Sequence, residues 1–267
     1  NHSMEFVEVE KKGIVEAILT ALNFVNTDLV GFLDDDVTLP DDWVENAKKA
    51  FEMNDHLGAF GGTDIQSKFS LNEKITVGKM TKYGKLVGNH HLASGLEREV
   101  DFLKGCNMVI KSSIVKEYSP AIKKLRGNGA QVGNDLMLSI TSRINGFQSR
   151  FDPNFTVNHY VEPRIDSSQR NRLNENEIQD LTFNLVLIKC IYSKKGLRAF
   201  VLAFQLLVGD REIPGLIRSL FLHRWNILLI CKDMKNLVRL ILPVWRLSEK
   251  YREPLPRRRR DRNIKNV

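Results

Sequence analysis

Three consecutive carboxylates, Asp34, Asp35 and Asp36, follow a short apolar run that begins at Leu29. The length and composition of this run predict a buried, parallel strand, and the C-terminal end of such a strand is where an open α/β sheet places its ligand crevice. Three acids this close raise one another's pKa unless a cation or hydrogen-bond donors meet them. Carboxylate oxygens suit Mg²⁺ or Mn²⁺, ions that also bind substrate phosphates. The stretch therefore predicts a divalent ion that clamps a phosphorylated substrate; the alternative is a surface turn that leads into a helix at Pro40.

Two enzyme classes carry acids of this kind at a strand end. Haloacid-dehalogenase-like phosphohydrolases use D-x-D-x-T, which Asp34, Asp36 and Thr38 fit. Family 2 glycosyltransferases of the A-type fold use D-D-D or D-x-D. The residues after the acids favour the second class, because Pro40 and Trp43 resemble the family 2 sequence in which a proline and a tryptophan open the next helix.

Further motifs follow in the family 2 order. They are G-x-N-M at Gly105-Cys106-Asn107-Met108, a G-x-D helix start at Gly133-Asn134-Asp135, and D-P followed by a histidine at Asp152-Pro153 and His159. The resemblance covers about residues 10–173. It implies an α/β chain of the A-type glycosyltransferase fold, a Rossmann-like mixed sheet flanked by helices, with a C-terminal helical extension.

The resemblance also implies a metal site and a donor site. Asp36, Asp34 and His159 are expected to hold Mn²⁺ or Mg²⁺, although a core or surface histidine is the alternative at position 159. Asp34 and Asp35 are expected to face the nucleotide-sugar donor. Arg164 and Arg172 are suited to its pyrophosphate, because the guanidinium fork matches phosphate oxygens.

The resemblance implies that Asp135 is the general base, while capping of the helix that follows explains the same carboxylate without catalysis. Asn134 stands where the family commonly has glutamate, so an auxiliary acid is absent. The acceptor side is expected to comprise Gly105, Cys106, Asn107 and Asn134. A glycine bulge with a small buried thiol is the alternative for the first three.

Gln169 to Leu173 resembles the Q-x-x-R-W motif of processive synthases, with Leu173 in place of the tryptophan. The sequence also lacks an uninterrupted apolar stretch of about 18 residues, the usual length of a spanning helix. Both observations argue against a polymerising synthase.

The remaining pattern predicts elements around these motifs. Strands are expected at 4–9, 57–60, 100–104, 108–110 and 157–160, with Gly61-Gly62 ending the second of them and a turn at Asp152-Pro153. Helices are expected after Gly13, over 41–53 and from Asp135, and a helical pattern runs from about residue 176. The His90-His91 pair is either a metal ligand or a solvated loop feature.

Charge divides the chain into two unlike parts. Of its 267 residues, 42 % are apolar and 27 % charged, as in one or two globular domains. Residues 1–169 hold 19 Lys/Arg and 23 Asp/Glu, a net charge of −4, whereas 170–267 hold 21 and 9, a net charge of +12. We therefore expect a catalytic domain over 1–173 and a basic amphipathic extension over 174–267.

The basic extension has two interpretations: it lies on an anionic membrane surface, or it packs on the catalytic domain with its charges in water. Nucleic acid is not expected as a partner, since the Arg257 to Arg260 run has no interleaved aromatics. Three widely spaced cysteines and a start without signal-peptide features predict a cytoplasmic protein at the cytoplasmic face of a membrane.

The resemblance thus implies an inverting, metal-dependent hexosyltransferase of envelope polysaccharide biosynthesis that uses a glycan or lipid-linked acceptor. Fewer than thirty residues precede the D-D-D strand, whereas a βαβ unit needs about 30 or more. The strands that bind the base are therefore expected to be missing, in a fragment or in a chain that holds the base differently. A phosphohydrolase with Asp34 as nucleophile and a non-catalytic, membrane-peripheral scaffold remain open.

Overall fold

A computed structural model describes residues 5–81, 84–129, 131–161, 174–193, 195–209 and 213–251. The helices are α1 (Ile14–Ala21), α2 (Trp43–Glu52), α3 (Ser112–Ile122), α4 (Asn134–Ile144), α5 (Glu175–Tyr192), α6 (Lys195–Leu207), α7 (Leu216–Leu222) and α8 (Ile227–Lys250). The strands are β1 (Leu29–Leu33), β2 (Val37–Thr38), β3 (Leu57–Ile65), β4 (Lys79–Met80), β5 (Leu86–Val87), β6 (Arg98–Val100), β7 (Asn107–Lys111) and β8 (Gln148–His159). A short 3₁₀ helix spans His90–Leu92.

One mixed sheet organises the molecule. Its strand order is β1-β7-β3-β8-β2, and β6 also pairs with β8. Strands β3 and β8 are parallel, whereas β1 with β7, β7 with β3, β2 with β8 and β6 with β8 are antiparallel. Helix α2 packs against β3 and β8, and α4 packs against the same two strands. A mixed sheet flanked by helices, followed by further helices, confirms the predicted fold class.

Strand β1 corrects one expectation about the D-D-D stretch. It was predicted to be buried and parallel, but it is half-buried, pairs antiparallel with β7, and has β7 as its only neighbour among the described strands. The sequence pattern fixes the length of an apolar strand but not the direction or number of its partners. The acids nevertheless follow the strand end as predicted.

Strand β3 continues through the two glycines that were expected to end it. A Cβ at position 62 would lie 1.7 Å from the carbonyl oxygen of Phe155. The predicted turn at Asp152-Pro153 is also wrong, because both residues lie within β8. The register instead shifts between Gly62 and Asp64 opposite this part of β8. The glycines therefore allow two parallel strands to approach closely at a bulge.

The N-terminal helices follow their apolar periodicity. In α1, Val15 and Ile18 are buried, and in α2 Trp43, Ala47 and Phe51 are buried. Val44, the residue after Trp43, is exposed. The strand predicted over 4–9 is also wrong for the described residues 5–9, where the chain is irregular and Phe6 is exposed.

The helices after residue 174 share a buried core with the sheet. Phe183, Leu187 and Leu237 belong to the same apolar cluster as Met108 and Phe151. Helix α5 begins with a capping box, in which Asn174 and Glu177 satisfy each other's backbone N–H groups. Among the described helices, none is both long and apolar enough to cross a bilayer.

Candidate active site

The connection between β1 and β2 brings the acids to the end of β8. Strand β2 pairs antiparallel with β8 so that Val37 lies opposite His159. The backbone N–H of Tyr160 donates to the carbonyl oxygen of Asp36 over 2.9 Å. This two-residue ladder fixes the acids of one segment beside a histidine that lies more than 120 residues later.

His159 lies between two groups of carboxylates. Its Nε2 is 3.1 Å from Asp36 Oδ1 and 3.9 Å from Asp34 Oδ2. One ligand atom from each of these three residues lies within 4.8 Å of the others. Two carboxylate oxygens and one imidazole nitrogen at this spacing can share one divalent ion.

The other ring nitrogen of His159 contacts Asp64, a residue that the sequence analysis did not single out. Nδ1 lies 3.1 Å from Asp64 Oδ2, which also accepts a hydrogen bond of 2.6 Å from Gln66 Nε2 and pairs with Lys104. Asp64 is fully buried, and among the described residues its Oδ1 has no hydrogen-bond partner.

The charge on Asp64 sets the orientation of the His159 ring. Burial acts to raise the pKa of Asp64, but the ion pair with Lys104 and the hydrogen bonds of His159 and Gln66 lower the pKa overall. An ionised Asp64 accepts a hydrogen bond from the Nδ1–H of His159. The lone pair of Nε2 then points toward Asp34 and Asp36, the arrangement by which proteins orient a metal-binding histidine.

The electrostatics of Asp34 fit a cation at this place. Burial, and then the negative charges of Asp36 and Asp35, raise the pKa of Asp34, while His159 and Lys104 oppose the shift. A divalent ion among the three ligands would reverse this, since it is the largest local charge in such a site. Donor set and electrostatics therefore both fit Mn²⁺ or Mg²⁺.

A second possible group, formed by Asp64, Cys106 and His159, fits a metal less well. Cys106 is buried, and burial raises the pKa of its thiol. A thiol binds metals as the thiolate, and Asp64 is already engaged by Lys104 and Gln66. The Asp34, Asp36 and His159 group is therefore the better fit to a divalent ion.

Asp135 lies at the first turn of α4, as predicted. Its Oδ1 accepts from the N–H of Leu136 over 2.9 Å, and its Oδ2 lies 3.4 Å from the N–H of Gly105. Burial raises the pKa of Asp135, although these two backbone N–H groups oppose the shift. A carboxylate with a raised pKa is closer to the range in which a general base works near neutral pH.

A cleft of about 350 Å³ has Asp135 in its wall. Lys104, the ion-pair partner of Asp64, lines it together with Asp135, Gln66 and Phe102. His90 lines it too, but is buried, and its Nε2 lies 3.2 Å from the carbonyl oxygen of Phe102. Burial lowers the pKa of His90 to about 4, so His90 is a neutral part of the wall.

Asn107 is buried and bonded within the protein. Its Oδ1 accepts from Trp43 Nε1 over 3.0 Å, and its Nδ2 donates to the carbonyl oxygen of Phe155 over 2.7 Å. Trp43 also covers Gly31 of β1, since a Cβ there would lie 3.0 Å from its ring. The proline–tryptophan and G-x-N-M motifs thus hold β1, β7 and β8 together.

The structure brings together Asp34, Asp36 and His159 in one group, with Asp135 and Gly105 in contact at the cleft. Asp35 is exposed in the turn, Asn134 bonds to the carbonyl oxygen of Gln131, and Arg164 and Arg172 lie outside the described residues. The sequence analysis missed Asp64, although Asp64 has the same feature that drew attention to Asp34: an acid close to the end of an apolar strand. Lys104 is harder to recognise from sequence, because a lysine next to a glycine is common and does not indicate a site residue.

Comparison with known proteins supplies the family. Residues 4–118 match the family model "Glycosyl transferase family 2". This segment contains the D-D-D stretch, the proline–tryptophan pair and Gly105-Cys106-Asn107-Met108, while Asp135 and His159 follow it. No curated protein matches the chain.

Among solved structures, the chain is similar to mannosyltransferase PcManGT from Pyrobaculum calidifontis, solved in complex with GDP-Man and Mn²⁺. The identity is 14 %, the match covers 92 % of this chain and 68 % of that one, and the TM-score is 0.41. The family match favours transfer over phosphate-ester hydrolysis and over a non-catalytic scaffold. Residues 4–118 of the chain thus carry a family 2 glycosyltransferase sequence.

Proposed function

We propose that this glycosyltransferase moves a sugar from a nucleoside-diphosphate donor to a hydroxyl acceptor, with a divalent ion and with inversion at the anomeric carbon. One observation carries the proposal. Two carboxylates and an oriented imidazole are close enough to share one ion. The cleft lined by Lys104, the ion-pair partner of Asp64, also holds Asp135, a half-buried carboxylate with a raised pKa.

Asp34, Asp36 and His159 would hold the metal. When bound, the ion supplies positive charge to the pyrophosphate of the donor and so stabilises the leaving group. Hard oxygens suit both Mn²⁺ and Mg²⁺, but Mg²⁺ rarely takes more than one or two protein ligands and imidazole suits transition metals better. Mn²⁺ is therefore the better match to this donor set.

Asp135 would act as the general base. As the acceptor oxygen attacks the anomeric carbon, Asp135 takes the hydroxyl proton, and the bond from that carbon to the phosphate oxygen breaks. The nucleoside diphosphate leaves with its bonding electrons. Attack from the side opposite the leaving group inverts the anomeric configuration.

The remaining predicted site residues fall into two groups. Asp35, with Arg164 and Arg172, is proposed to bind the donor. On the acceptor side, Gly105 leaves room for Asp135, because a Cβ there would lie 3.2 Å from the Cβ of Asp135. Buried Cys106 and Asn107 would act by positioning this segment, and Asn134 by starting α4.

The acceptor is proposed to be a glycan or a lipid-linked sugar, and the protein to lie at the cytoplasmic face of a membrane. The supporting observation is charge: residues 170–267 hold 21 Lys/Arg against 9 Asp/Glu. Division into a catalytic domain to residue 173 and a basic extension from 174 remains our proposal for the chain.

Calorimetric titration tests the proposal. UDP, GDP and dTDP are titrated into the protein with and without Mn²⁺, then into Asp36→Ala and, as a control, into Asp41→Ala, which removes an exposed carboxylate five residues away. We expect metal-dependent binding of one nucleotide that Asp36→Ala abolishes and Asp41→Ala leaves within about twofold.

Binding that needs no metal, or that survives Asp36→Ala, would overturn the metal assignment. If one nucleotide binds as expected, the corresponding sugar donors are tested for transfer. The anomeric configuration of the product, read by nuclear magnetic resonance, then decides between inversion and retention.

A further inference from the structure

We propose that the α7–α8 tip, residues 221–228, inserts its apolar side chains into the surface of an anionic lipid bilayer. The inference deepens the peripheral location proposed above and rests on it. It is independent of the metal site and of Asp135, because none of the tip residues lines the catalytic cleft.

The tip exposes an unusual amount of apolar surface. Phe221 is 75 % exposed, Trp225 68 % and Leu228 82 %, and Leu222 and Ile227 are exposed beside them. Single exposed apolar residues are normal on a soluble protein. Five within eight consecutive positions form a contiguous patch of the kind that marks an interaction site.

The turn that carries these side chains has a defined backbone conformation. Arg224 and Trp225 have φ angles of 48° and 67°, a left-handed conformation that costs energy for residues with large side chains. The N–H of Trp225 donates to the carbonyl oxygen of Leu220 over 3.2 Å, and the side chain of Asn226 caps α8.

A polar clamp holds the two helices that meet at the tip. Asp233 of α8 accepts from Ser219 of α7 over 2.9 Å, and its Oδ2 lies 2.7 Å from His223 Nε2. The apolar side chains are therefore presented in a fixed arrangement, which reduces the ordering cost of binding.

The basic residues around the tip indicate that its binding partner is an anionic bilayer. Arg218, Arg224, Lys232 and Lys235 are exposed around the tip, and the one acid in the sequence from 216 to 235 is Asp233, which the clamp occupies. A second copy of this chain would bring these cations against their own copies, which like-charge repulsion disfavours. An anionic bilayer offers both the negative surface and the apolar interior, and tryptophan prefers that interface.

Vesicle binding of the full chain tests the proposal. The parent, Phe221→Ser/Trp225→Ser and the control Met53→Ser/Leu96→Ser are sedimented with neutral phosphatidylcholine vesicles and with vesicles containing 30 % phosphatidylglycerol. Met53 and Leu96 are each 87 % exposed and lie away from the tip in sequence, after α2 and before β6. We expect the parent and the control to bind the anionic vesicles, and the tip variant to bind at least tenfold more weakly.

Depth of insertion is read from fluorescence. Lipids brominated in the acyl chain should quench the emission that the parent has and Trp225→Phe lacks. Vesicle binding without this quenching would assign the interaction to basic segments such as Arg257–Arg260 and overturn the proposal. So would equal binding by the tip variant, or a tip-dependent dimer that ignores vesicles. Nucleotide binding, measured in parallel, shows separately whether the proposed catalytic function holds.

Discussion

Asp135 is the single residue on which the proposed chemistry depends most. Replacing it with asparagine keeps the shape of the side chain and one oxygen that accepts hydrogen bonds, but removes the base. We therefore expect kcat to fall about 10²–10⁴-fold while nucleotide affinity changes little. Steady-state transfer kinetics measure both quantities. Turnover within threefold of the parent would show that Asp135 is a helix-capping residue only.

The pH dependence of transfer should report the environment of Asp135. Because burial raises the pKa of Asp135, its carboxyl stays protonated to a higher pH than an ordinary aspartate, whose pKa is about 3.9. The base is inactive when protonated, so kcat should fall as pH decreases through this raised pKa. A rate that stays flat down to pH 4 would contradict the assignment.

Asp64 is predicted to act on the metal through His159. In Asp64→Asn the side chain no longer attracts the Nδ1–H of His159 as an anion, and loss of such a partner typically lowers metal affinity about 10–100-fold. Titration of Mn²⁺ into the protein without nucleotide measures this. Gln66→Ala is the control, because it removes a different hydrogen bond to the same carboxylate oxygen and leaves the charge in place.

The sequence predicted the residues of the proposed site more readily than the contacts between them. Asp34, Asp36, Asp135 and His159 each stand in a recognisable motif, so their types and order indicated the chemistry. Asp64 and Lys104 stand in no motif, and their roles arise because β3 and β8 pair in parallel and bring Asp64 beside His159. Local sequence patterns do not predict which distant strands pair.

At the scale of elements, the bulge between β3 and β8 depends on Gly62. In Gly62→Ala the new methyl group would meet the Phe155 carbonyl oxygen, so the strands must separate, and overpacking of this kind costs about 3 kcal/mol or more against backbone. Denaturant unfolding measures the loss. Gly196→Ala in α6 is the control, since no atom lies within 4 Å of its Cβ position, and it should be neutral or slightly stabilising.

Helices were predicted more accurately than strands. The apolar periodicity of α1, α2 and α4 depends on residues three and four positions apart, and therefore on local sequence. Strand β1 was assigned the wrong direction and β3 ended too early, because both depend on partners elsewhere in the chain. Gly61 and Gly62 lie within β3 rather than at its end, and Gly62 allows β3 and β8 to approach closely.

At the scale of the whole molecule, Asn184 links α5 to the segment before α4. Its Oδ1 accepts from the N–H of Arg126 over 2.8 Å, and its Nδ2 donates to the carbonyl oxygens of Arg126 and Val132. Asn184→Ala removes three part-buried hydrogen bonds and should lower the free energy of unfolding by about 2–3 kcal/mol, since each such bond contributes about 0.5–1.5 kcal/mol. Asn46→Ala on the exposed face of α2 should change it by less than about 0.5 kcal/mol. Equal effects would show that the link adds nothing to stability.

The charge composition predicted two unlike regions, before and after residue 170, but not that they share a core. The change in charge near residue 170 is visible in the sequence, whereas the shared core of Phe183, Leu187 and Met108 is not. A helix whose apolar residues point both to a core and to solvent, as in α8, gives an ambiguous pattern.

The three cysteines differ in chemical accessibility. Cys106 and Cys190 are buried, and burial raises the pKa of the Cys190 thiol to about 12, so neither presents a reactive thiolate at neutral pH. Cys231 is exposed on α8, one helical turn beyond Ile227. A maleimide dye should therefore label the native chain at one position beside the α7–α8 tip, and oxidants or electrophiles that reach this protein should react there first.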